Sequence, residues 1–471
     1  RHVEPTPPAY SLAKIGDSAP DVAGRYAAFS NLCINDDAEV SLIGRVGLDS
    51  AALNNLGPTG SMGLLMKNGQ ALDALGAAFV GRKAGRVLGH SLLQSQRGLL
   101  TLAVIGGRQA ILRDNGVSLS PLLLTREPVA ILGGASTRSI RQVLQNRDFG
   151  NPRASISYQL MPEAGVATAS TDSGIIFADN AVGMLIDGQP REGQPAPVSG
   201  QFGQFPARAA LGGIRMACAV PRVTAGKVEQ ILYTRVILGL SDTAATEGGA
   251  APGAGGALFS RFLSEVVSMT GRISFRATLK GTGVSAGTNE GLWQSGLGLV
   301  AREGSQVPGE DAGVKWRRFL GLWPVADDGL LFHATTSKGT GLWVKQEDGS
   351  IFKLVHTGSA IRSILRVDVN PENGAYAVLV SLRGPANANQ ALLTGTMAVG
   401  TPGSSLRLPH LRLKKSIFVK SMSLQKANDA SGAGGKGLPQ VINKSANVAL
   451  TCRRSAGVTE VVLSKEANFN P

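Results

Sequence analysis

Short apolar segments separated by turns recur along the whole chain. The clearest is a triplet in which glycine or glutamine precedes two apolar residues, and its copies lie about 45–70 residues apart, the spacing of propeller blades and kelch-like units. Seven copies and a looser eighth are Gly63-Leu64-Leu65, Gln109-Ala110-Ile111, Gly174-Ile175-Ile176, Gln230-Ile231-Leu232, Gly291-Leu292-Trp293, Gly341-Leu342-Trp343, Gln390-Ala391-Leu392 and Glu460-Val461-Val462. Eight copies with similar neighbours indicate a tandem repeat.

The neighbours of each triplet complete a repeating unit. A turn and an alternating apolar strand precede the triplet, as in 35–42, 270–277, 327–334 and 443–450, and such alternation predicts a half-buried strand. A glycine-proline loop follows it, most clearly at 302–309. Each unit therefore predicts a small antiparallel sheet, which must stack on neighbouring sheets to bury both of its faces.

The two ends of the chain predict how this stack is closed. Residues 10–20 resemble the end of a unit without its beginning, and the last unit, from Pro439, stops before its own loop. If Leu12 lies beside Val461 and Val462, the N-terminal strand completes the last sheet and no edge strand is left exposed. We therefore predict an all-β fold, a closed β-propeller of eight blades, with seven blades as the alternative.

The whole chain, 1–471, is predicted to form this single domain. Residues 404–437 interrupt the repeat spacing and combine basic residues with glycines, which favours an insertion within the last blades. The seven-blade alternative applies if the last two units merge there.

One stretch of the repeat resembles a known family. Gly291-Leu292-Trp293 is followed by 299–304, Leu-Val-Ala-Arg-Glu-Gly, and by Pro308-Gly309. These residues resemble the tandem-repeat proteins with the pattern NxxGxxAF, exported by bacteria such as planctomycetes and verrucomicrobia and carrying varied C-terminal anchors. The resemblance implies export and a place at the cell envelope, and it implies no activity and no catalytic residues.

Composition supports a strand-rich protein. Glycine accounts for 61 of 471 residues, and charged residues make up 17%, below the roughly 25% of an average soluble domain. No apolar run approaches the 18 residues or so of a membrane span. Because the chain starts at Arg1 without an apolar leader, we expect a removed signal peptide and a periplasmic, cell-surface or extracellular location. The three cysteines are far apart and are expected to be buried.

Basic residues are concentrated in two regions of this +14 chain. One is acid-free and runs from 74 to 113; the other, 407–454, holds ten Lys or Arg and one acid, Asp429. In the second region basic residues alternate in part with apolar ones, as on a strand with one wet face. The candidate anion-binding residues are Arg407, Arg412, Lys414, Lys415 and Lys420. A solvated edge that prevents aggregation is the alternative interpretation.

Motifs that resemble catalytic signatures have structural interpretations. Residues 170–177 fit the Asp-box of sialidases, a hairpin-turn device; 283–287 fit GxSxG without the helix that a nucleophile elbow needs; and 432–437 lack the spacing of a phosphate loop. The five histidines form no HxH or HExxH pair, so neither a metal nor a cofactor is predicted. His333 is expected at a surface or satisfied strand position, and Trp293 and Trp343 between sheets.

These observations favour an exported, non-enzymatic scaffold that binds a protein, an anionic glycan or further copies of itself. Sequence-specific nucleic-acid binding is not favoured, because few aromatic residues accompany the basic ones. Two alternatives remain: a carbohydrate-active hydrolase or lyase on the same fold, and a structural subunit of a surface layer or filament. Carboxylates or arginines that converge at the channel mouth would favour the enzyme.

Overall fold

A computed structural model of the chain describes residues 9–55, 62–93, 97–146, 153–163, 167–168, 171–188, 190–206, 209–326, 328–397, 410–414, 419–424 and 441–464. Strands dominate these ranges, and the helical segments are three short 3₁₀ turns, Asp73–Leu75, Ala77–Phe79 and Ala130–Leu132. Among the described residues, no helix has the length and apolar character of a membrane span.

Eighteen strands are described in the first half of the chain. They are β1 (Ala9–Lys14), β2 (Tyr26–Ile34), β3 (Val40–Val46), β4 (Asp49–Asn55), β5 (Met62–Lys67), β6 (Ala84–Leu93), β7 (Arg97–Val104), β8 (Arg108–Asp114), β9 (Leu119–Leu124), β10 (Thr137–Gln145), β11 (Arg153–Leu160), β12 (Ser173–Asp179), β13 (Met184–Asp187), β14 (Gln201–Phe202), β15 (Ala210–Gly212), β16 (Arg215–Thr224), β17 (Lys227–Val236) and β18 (Ser241–Thr246).

The second half continues the same order. Its strands are β19 (Leu258–Val267), β20 (Ile273–Lys280), β21 (Glu290–Gln294), β22 (Gly298–Arg302), β23 (Trp316–Val325), β24 (Gly329–Thr336), β25 (Gly339–Lys345), β26 (Ile351–His356), β27 (Ile361–Val369), β28 (Ala375–Leu382), β29 (Gln390–Thr396), β30 (His410–Lys414), β31 (Val419–Ser423), β32 (Val448–Arg454) and β33 (Thr459–Ser464).

Hydrogen bonding joins these strands into eight sheets, which are the blades of a β-propeller. Blades 1 to 7 are β2–β5, β6–β9, β10–β13, β14–β18, β19–β22, β23–β26 and β27–β30, and blade 8 combines β31, β32 and β33 with β1. Each blade is a meander of neighbouring antiparallel strands. In blade 4 the first strand is divided into β14 and β15, which both pair with β16. The prediction of an all-β, eight-bladed propeller is confirmed.

The N-terminal strand completes blade 8, as predicted. Ser11 in β1 lies opposite Val462 in β33, and Ala13 lies opposite Val461. Blade 8 therefore has four strands: β31, β32 and β33 come from the C-terminal part of the chain, and β1 pairs with the outer edge of β33.

The contacts divide the chain into two compact units. Unit 1 comprises Arg1–Pro121, Thr357–Asn428 and Pro439–Pro471, and unit 2 comprises Leu122–His356 and Asp429–Leu438. Apart from the end of β9, unit 1 thus contains blades 1, 2, 7 and 8, and unit 2 contains blades 3 to 6.

The recurring triplet marks the third strand of a blade. Seven of its eight copies lie in β8, β12, β17, β21, β25, β29 and β33. The copy at Gly63 is the exception, because it lies in β5, the fourth strand of blade 1, whose third strand is β4. Glycine is required where an aromatic ring covers it: a Cβ on Gly341 would lie 2.9 Å from the Trp343 ring and 2.6 Å from the Val355 carbonyl oxygen.

The core lies between adjacent blades of each unit. In unit 2 one cluster joins Phe177 of blade 3 to Tyr233 of blade 4, and another joins Leu292 of blade 5 to Trp316 and Trp343 of blade 6. In unit 1 a cluster extends through blades 7, 8 and 1. Trp343 is fully buried, which confirms the prediction that the repeated tryptophan packs between sheets. Stacked sheets thereby bury the faces that a single sheet would expose.

Turns between the first and second strands add polar contacts between neighbouring blades. The side-chain amide of Asn443 donates to the Asn35 carbonyl oxygen at 3.0 Å, and Asn146 donates to Gly213 O at 2.6 Å. Ala446 closes the turn after Asn443 with a φ of 52°, and the Asn443 side-chain oxygen accepts from Asn447 N at 2.9 Å. The short polar side chain at the start of the turn therefore stabilises the turn itself and also binds the corresponding turn of the next blade.

Candidate functional site

The first strands of the blades depart from regular β geometry through bulges. At each bulge, one residue of the first strand has no paired residue on the second strand. In blades 3, 5, 6 and 7 the first strand has two such residues, three positions apart. They are Arg138 and Arg141, Ser260 and Leu263, Arg317 and Leu320, and Arg362 and Leu365. Bulges redirect side chains and are frequent beside functional sites.

Two bulges change the burial period of these strands from two residues to three. In β10, Thr137 and Ile140 are buried, whereas Arg138 and Arg141 are exposed. In β23, Trp316 and Phe319 are buried on either side of an exposed arginine pair. A regular strand would turn alternate residues towards the core. The bulges therefore let β10 and β23 pack one residue in three and expose arginines between them.

Exposed cations occupy the first bulge, or the position beside it, in six of the eight blades. They are Arg86 of blade 2, Arg138 of blade 3, Arg261 of blade 5, Arg317 of blade 6, Arg362 of blade 7 and Lys420 of blade 8. Arg141, Arg318 and Arg366 add further exposed guanidinium groups to the same strands. The acidic residues of the described first strands are Glu265 and Asp368, and both are buried. These nine basic residues are called the first-strand cations below.

The first-strand cations are not neutralised by ion pairs. Within the described ranges, no carboxylate forms a salt bridge with any of them. Several cations of the second and third strands, in contrast, are paired: Arg276 with Glu290 at 3.0 Å and Arg222 with Glu229 at 2.7 Å. The positive charge of the first strands is therefore available to a ligand.

In unit 2 the first-strand cations lie on strands that are neighbours. β19 contacts β15 on one side and β23 on the other, and β15 contacts β10. Arg261 of β19 thus has Arg317 and Arg318 on the adjacent blade. Arg317 also lies near Glu303, whose pKa is raised mainly by burial and is held down in part by that guanidinium group. Like charges that recur on adjacent strands repel each other, and an anion between them removes that repulsion.

The predicted anion-binding residues do not form one strand. Arg412 lies in β30 of blade 7, and its side chain is buried and donates to Ser464 Oγ at 3.1 Å. Lys420 is exposed on β31, the first strand of blade 8. Lys414 ends β30, where its backbone is paired with Ala391. Arg407 and Lys415 lie outside the described residues, as do the remainder of the predicted insertion beyond 410–414 and 419–424 and the stretch 432–437.

Sequence reasoning found Arg86 and Lys420 and missed the other first-strand cations. Arg86 belongs to the acid-free region 74–113, and Lys420 to the basic region near the C-terminus. The missed residues are scattered singly through the chain. The available signal was the recurrence of basic residues at the start of six first strands in which the acidic residues are buried, a pattern that a charge count over long windows does not detect.

Ser41, His90 and Asp114 are the residue types of a serine-hydrolase triad, but the two imidazole nitrogens are used in the reverse of its arrangement, in which Nε2 faces the serine. His90 Nδ1 is hydrogen-bonded to Ser41 Oγ, and His90 Nε2 lies 3.3 Å from an Asp114 carboxylate oxygen. All three side chains are buried, with 0–2% of their surface exposed, whereas a nucleophile must reach its substrate. Because Ser41 lies in blade 1 and His90 in blade 2, this arrangement contributes a polar contact between blades.

The loop motif Arg-Glu-Gly joins the fourth strand of a blade to its third. Glu303 accepts from Asn289 N at 3.2 Å, and Glu247 accepts from Gln230 N at 3.0 Å. Arg302 donates to the Ala254 carbonyl oxygen at 2.9 Å, in the loop that follows the preceding blade. The most recognisable sequence motif of the chain therefore holds strands together.

The other candidate motifs lie in turns or in the core. Asp172 of the Asp-box precedes β12 and accepts from Gln159 Nε2 at 2.6 Å. The GxSxG stretch at 283–287 connects β20 to β21, where Ser285 Oγ is 3.1 Å from Thr288 Oγ1. The three cysteines are buried, as predicted. Among the described residues, no group of three or more His, Cys, Asp or Glu is placed to hold a metal ion.

His333 differs from its prediction of a surface or satisfied position. Burial in β24 lowers the pKa of its imidazole from 6.5 to about 4. Its Nε2 has no hydrogen-bond partner in the part of the chain that the structure describes. The imidazole is therefore neutral at pH 7 and packs as an apolar group.

Solved structures with similar backbones are β-propeller proteins and larger enzymes. The Dos1 propeller matches with a TM-score of 0.37 and 12% identity over 80% of this chain and 81% of that chain. Prolyl oligopeptidase B from Galerina marginata matches with a TM-score of 0.39 and 10% identity over 92% of this chain and 56% of that chain. An oligogalacturonate lyase in complex with manganese matches with a TM-score of 0.35 and 9% identity over 94% of this chain and 98% of that chain. The fold assignment rests on the strand pairing above.

Sequence comparison gives a family without an activity. No curated protein sequence matches the chain. A family model described as a family of unknown function, DUF7453, matches residues 106–373, from β8 to the turn after β27. Because this match covers more than half of the chain, the protein belongs to the DUF7453 family.

Proposed function

We propose that this protein is a non-enzymatic binding protein in which the first-strand cations of unit 2 hold an acidic macromolecule. The observation that carries the proposal is the recurrence of exposed, unpaired basic residues at the bulges of six blades. The partner is an acidic protein or an anionic glycan, and a second copy of the chain is disfavoured by its net charge of +14.

Arginine accounts for most of this surface, and its chemistry suits the proposal. Eight of the nine first-strand cations are arginines and one, Lys420, is a lysine. A guanidinium group donates two parallel hydrogen bonds to a carboxylate, sulfate or phosphate, whereas an ammonium group acts as a point charge. The surface is therefore suited to oriented binding of several anionic groups along one ligand.

The proposal also places the protein outside the cytoplasm. Support comes from the resemblance of 291–309 to exported repeat proteins. Fractionation of cells that make the full-length protein tests this part, and recovery of the protein only in the cytoplasm would contradict it.

A binding assay with a matched control tests the proposed site. The probes are fluorescent poly-glutamate and polygalacturonate, titrated at about 50 mM and 300 mM salt. The site variant is Arg261→Gln/Arg317→Gln/Arg318→Gln. The control variant is Arg45→Gln/Lys227→Gln/Arg453→Gln, which removes the same charge from exposed positions on β3, β17 and β32.

The wild-type protein should bind at least one probe, more weakly at high salt. The site variant should lose about 10-fold in affinity, because each exposed ion pair contributes up to about 1 kcal/mol. The control should lose less than about 3-fold. Equal losses in the two variants would mean that net charge alone attracts the probe, and absence of binding to both probes would refute the proposed function.

A further inference from the structure

Leucines occupy the second bulge of four first strands. They are Leu88 of blade 2, Leu263 of blade 5, Leu320 of blade 6 and Leu365 of blade 7. Leu88 is 44% exposed and Leu263 is 38% exposed, whereas Leu320 and Leu365 are partly exposed. Each of these four blades also carries a cation at its first bulge or next to it. These four residues are called the second-bulge leucines.

The two kinds of side chain are exposed on the same strands, two or three residues apart. A buried residue lies between them, Phe262 in β19 and Phe319 in β23. Two or three residues of strand span about 7–10 Å, so in unit 2 a row of guanidinium groups lies about that far from a row of leucines. β19 and β23 are neighbours, and the arrangement of Arg261 and Leu263 is repeated by Arg318 and Leu320 on the next blade.

Leu365 packs partly against the core of unit 1, whereas the exposure of Leu88 and Leu263 at equivalent positions requires an explanation beyond packing. A single apolar side chain on a surface is ordinary, whereas apolar side chains that recur in one pattern indicate a contact surface. A polar residue satisfies the bulge geometry equally well, as Arg141 does at the second bulge of β10. The ligand of these strands is therefore expected to have apolar groups as well as anionic ones.

We propose that the ligand is an acidic polypeptide segment with aliphatic side chains, which binds within unit 2, where its carboxylates pair with Arg261, Arg317 and Arg318 and its aliphatic groups cover Leu263 and Leu320. This inference rests on the proposed function. An extended peptide places side chains about 7 Å apart on one face and about 10 Å apart three residues on, which matches the two rows. Its charge is complementary to a surface that has no exposed acid in the described first strands.

A glycan and a nucleic acid match this surface less well. Sugar rings and bases pack on aromatic side chains. The aromatic side chains of the described first strands are buried or partly buried. A uronic acid polymer supplies carboxylates but no aliphatic side chains. Such a polymer would leave the second-bulge leucines in water.

Three probes of equal or comparable charge separate these possibilities. The first is a peptide of Glu and Leu residues, the second is the same peptide with every Leu replaced by Ser, and the third is polygalacturonate. The test variant is Leu263→Thr/Leu320→Thr, because threonine retains the strand preference of the position. The control variant is Leu240→Thr/Leu297→Thr, at exposed leucines in turns of the same unit.

The wild-type protein should bind the Glu/Leu peptide about 10-fold more tightly than the Glu/Ser peptide. The test variant should lose this preference and keep its affinity for the Glu/Ser peptide within about 2-fold, and the control variant should keep the preference. Circular dichroism and the denaturation midpoint establish that both variants are folded.

Other outcomes separate this inference from the function on which it rests. Equal affinity for both peptides, with salt-dependent binding retained, would overturn the inference and leave the proposed function intact. Tighter binding of polygalacturonate than of either peptide would identify a glycan ligand and would also overturn it. Absence of binding to all three probes would refute the proposed function itself.

Discussion

The first strands of the blades differ from the second and third strands in what they expose. Residues of the third strand β25 at Leu342, Trp343 and Val344 are buried on both faces. First strand β23 begins with a buried Trp316 and then exposes two arginines. The third strand thus packs between blades, whereas the first strand exposes arginines that form no salt bridge within the described ranges.

This difference shows that the strongest sequence signal of a repeat protein marks the positions that pack. The triplet and the Arg-Glu-Gly loop recur because every blade needs the same contacts to pack. The first-strand cations recur in a weaker pattern, because an exposed position constrains its residue less than a buried one does. Blades 1 and 4 illustrate this weaker constraint, with Ala27 at the first bulge of blade 1 and a divided first strand in blade 4.

Substitution of a third-strand tryptophan should give the largest effect. Trp343 is fully buried and lies edge-on to Trp316, with ring centroids 4.7 Å apart. Trp343→Ala should lower the free energy of unfolding by about 3–5 kcal/mol, because it leaves a cavity between blades 5 and 6. Urea denaturation followed by circular dichroism measures this loss.

A first-strand leucine provides the control for that experiment. Leu263→Ala removes a side chain that is 38% exposed, and the unfolding free energy should change by about 0.5 kcal/mol or less. Similar losses in both variants would show that first strands contribute to the core as third strands do, and the contrast drawn above would fail.

The second strand offers a smaller, pH-dependent effect at His333. Burial lowers the pKa of this imidazole to about 4 from 6.5. Between these values the unfolded chain binds a proton that the folded chain does not, so stability falls as the pH drops from about 6.5 to about 4 and changes little below that. The total loss from this residue is at most about 3 kcal/mol.

Replacement of the imidazole isolates its contribution. His333→Leu should show a smaller decrease in unfolding free energy between pH 7 and about 4.5 than the wild type, with the difference approaching 2–3 kcal/mol, about 1.4 kcal/mol per pH unit. Denaturant titrations of both proteins at the two pH values provide the measurement. Parallel pH profiles would mean that His333 is protonated or hydrated in the folded protein.

The sequence predicted the fold well because the fold depends on local repetition. Eight units, their short strands and the half-unit at each end are all visible along the chain, and the pairing of Ser11 with Val462 follows from them. The misplaced triplet at Gly63 has a physical cause. The third strand of blade 1 holds Ala51 and Ala52 in place of two large apolar residues. Gly63-Leu64-Leu65 of β5 therefore matched the triplet better than the third strand did.

The site was harder to predict because its determinants are not local. Bulges shift the burial period of β10 and β23 from two to three, and a search for alternation does not recognise such strands. Arg412 alternates with leucines as an exposed residue would, yet it is buried against Ser464, which is 52 residues away in sequence. Which basic residue is free and which is paired depends on contacts between blades.

The smallest stability effect is expected from the first-strand cations themselves. Arg261→Gln/Arg317→Gln/Arg318→Gln removes three exposed side chains without salt-bridge partners in the described ranges, so the unfolding free energy should change by about 0.5 kcal/mol or less. Relief of repulsion between neighbouring like charges makes a slight gain at low salt the expected direction. Denaturation midpoints at about 20 mM and 500 mM salt measure both the size and the salt dependence of the change. A loss of about 2 kcal/mol or more would mean that these guanidinium groups hold the blades together, and reduced ligand binding by the variant would then report unfolding instead of a lost contact.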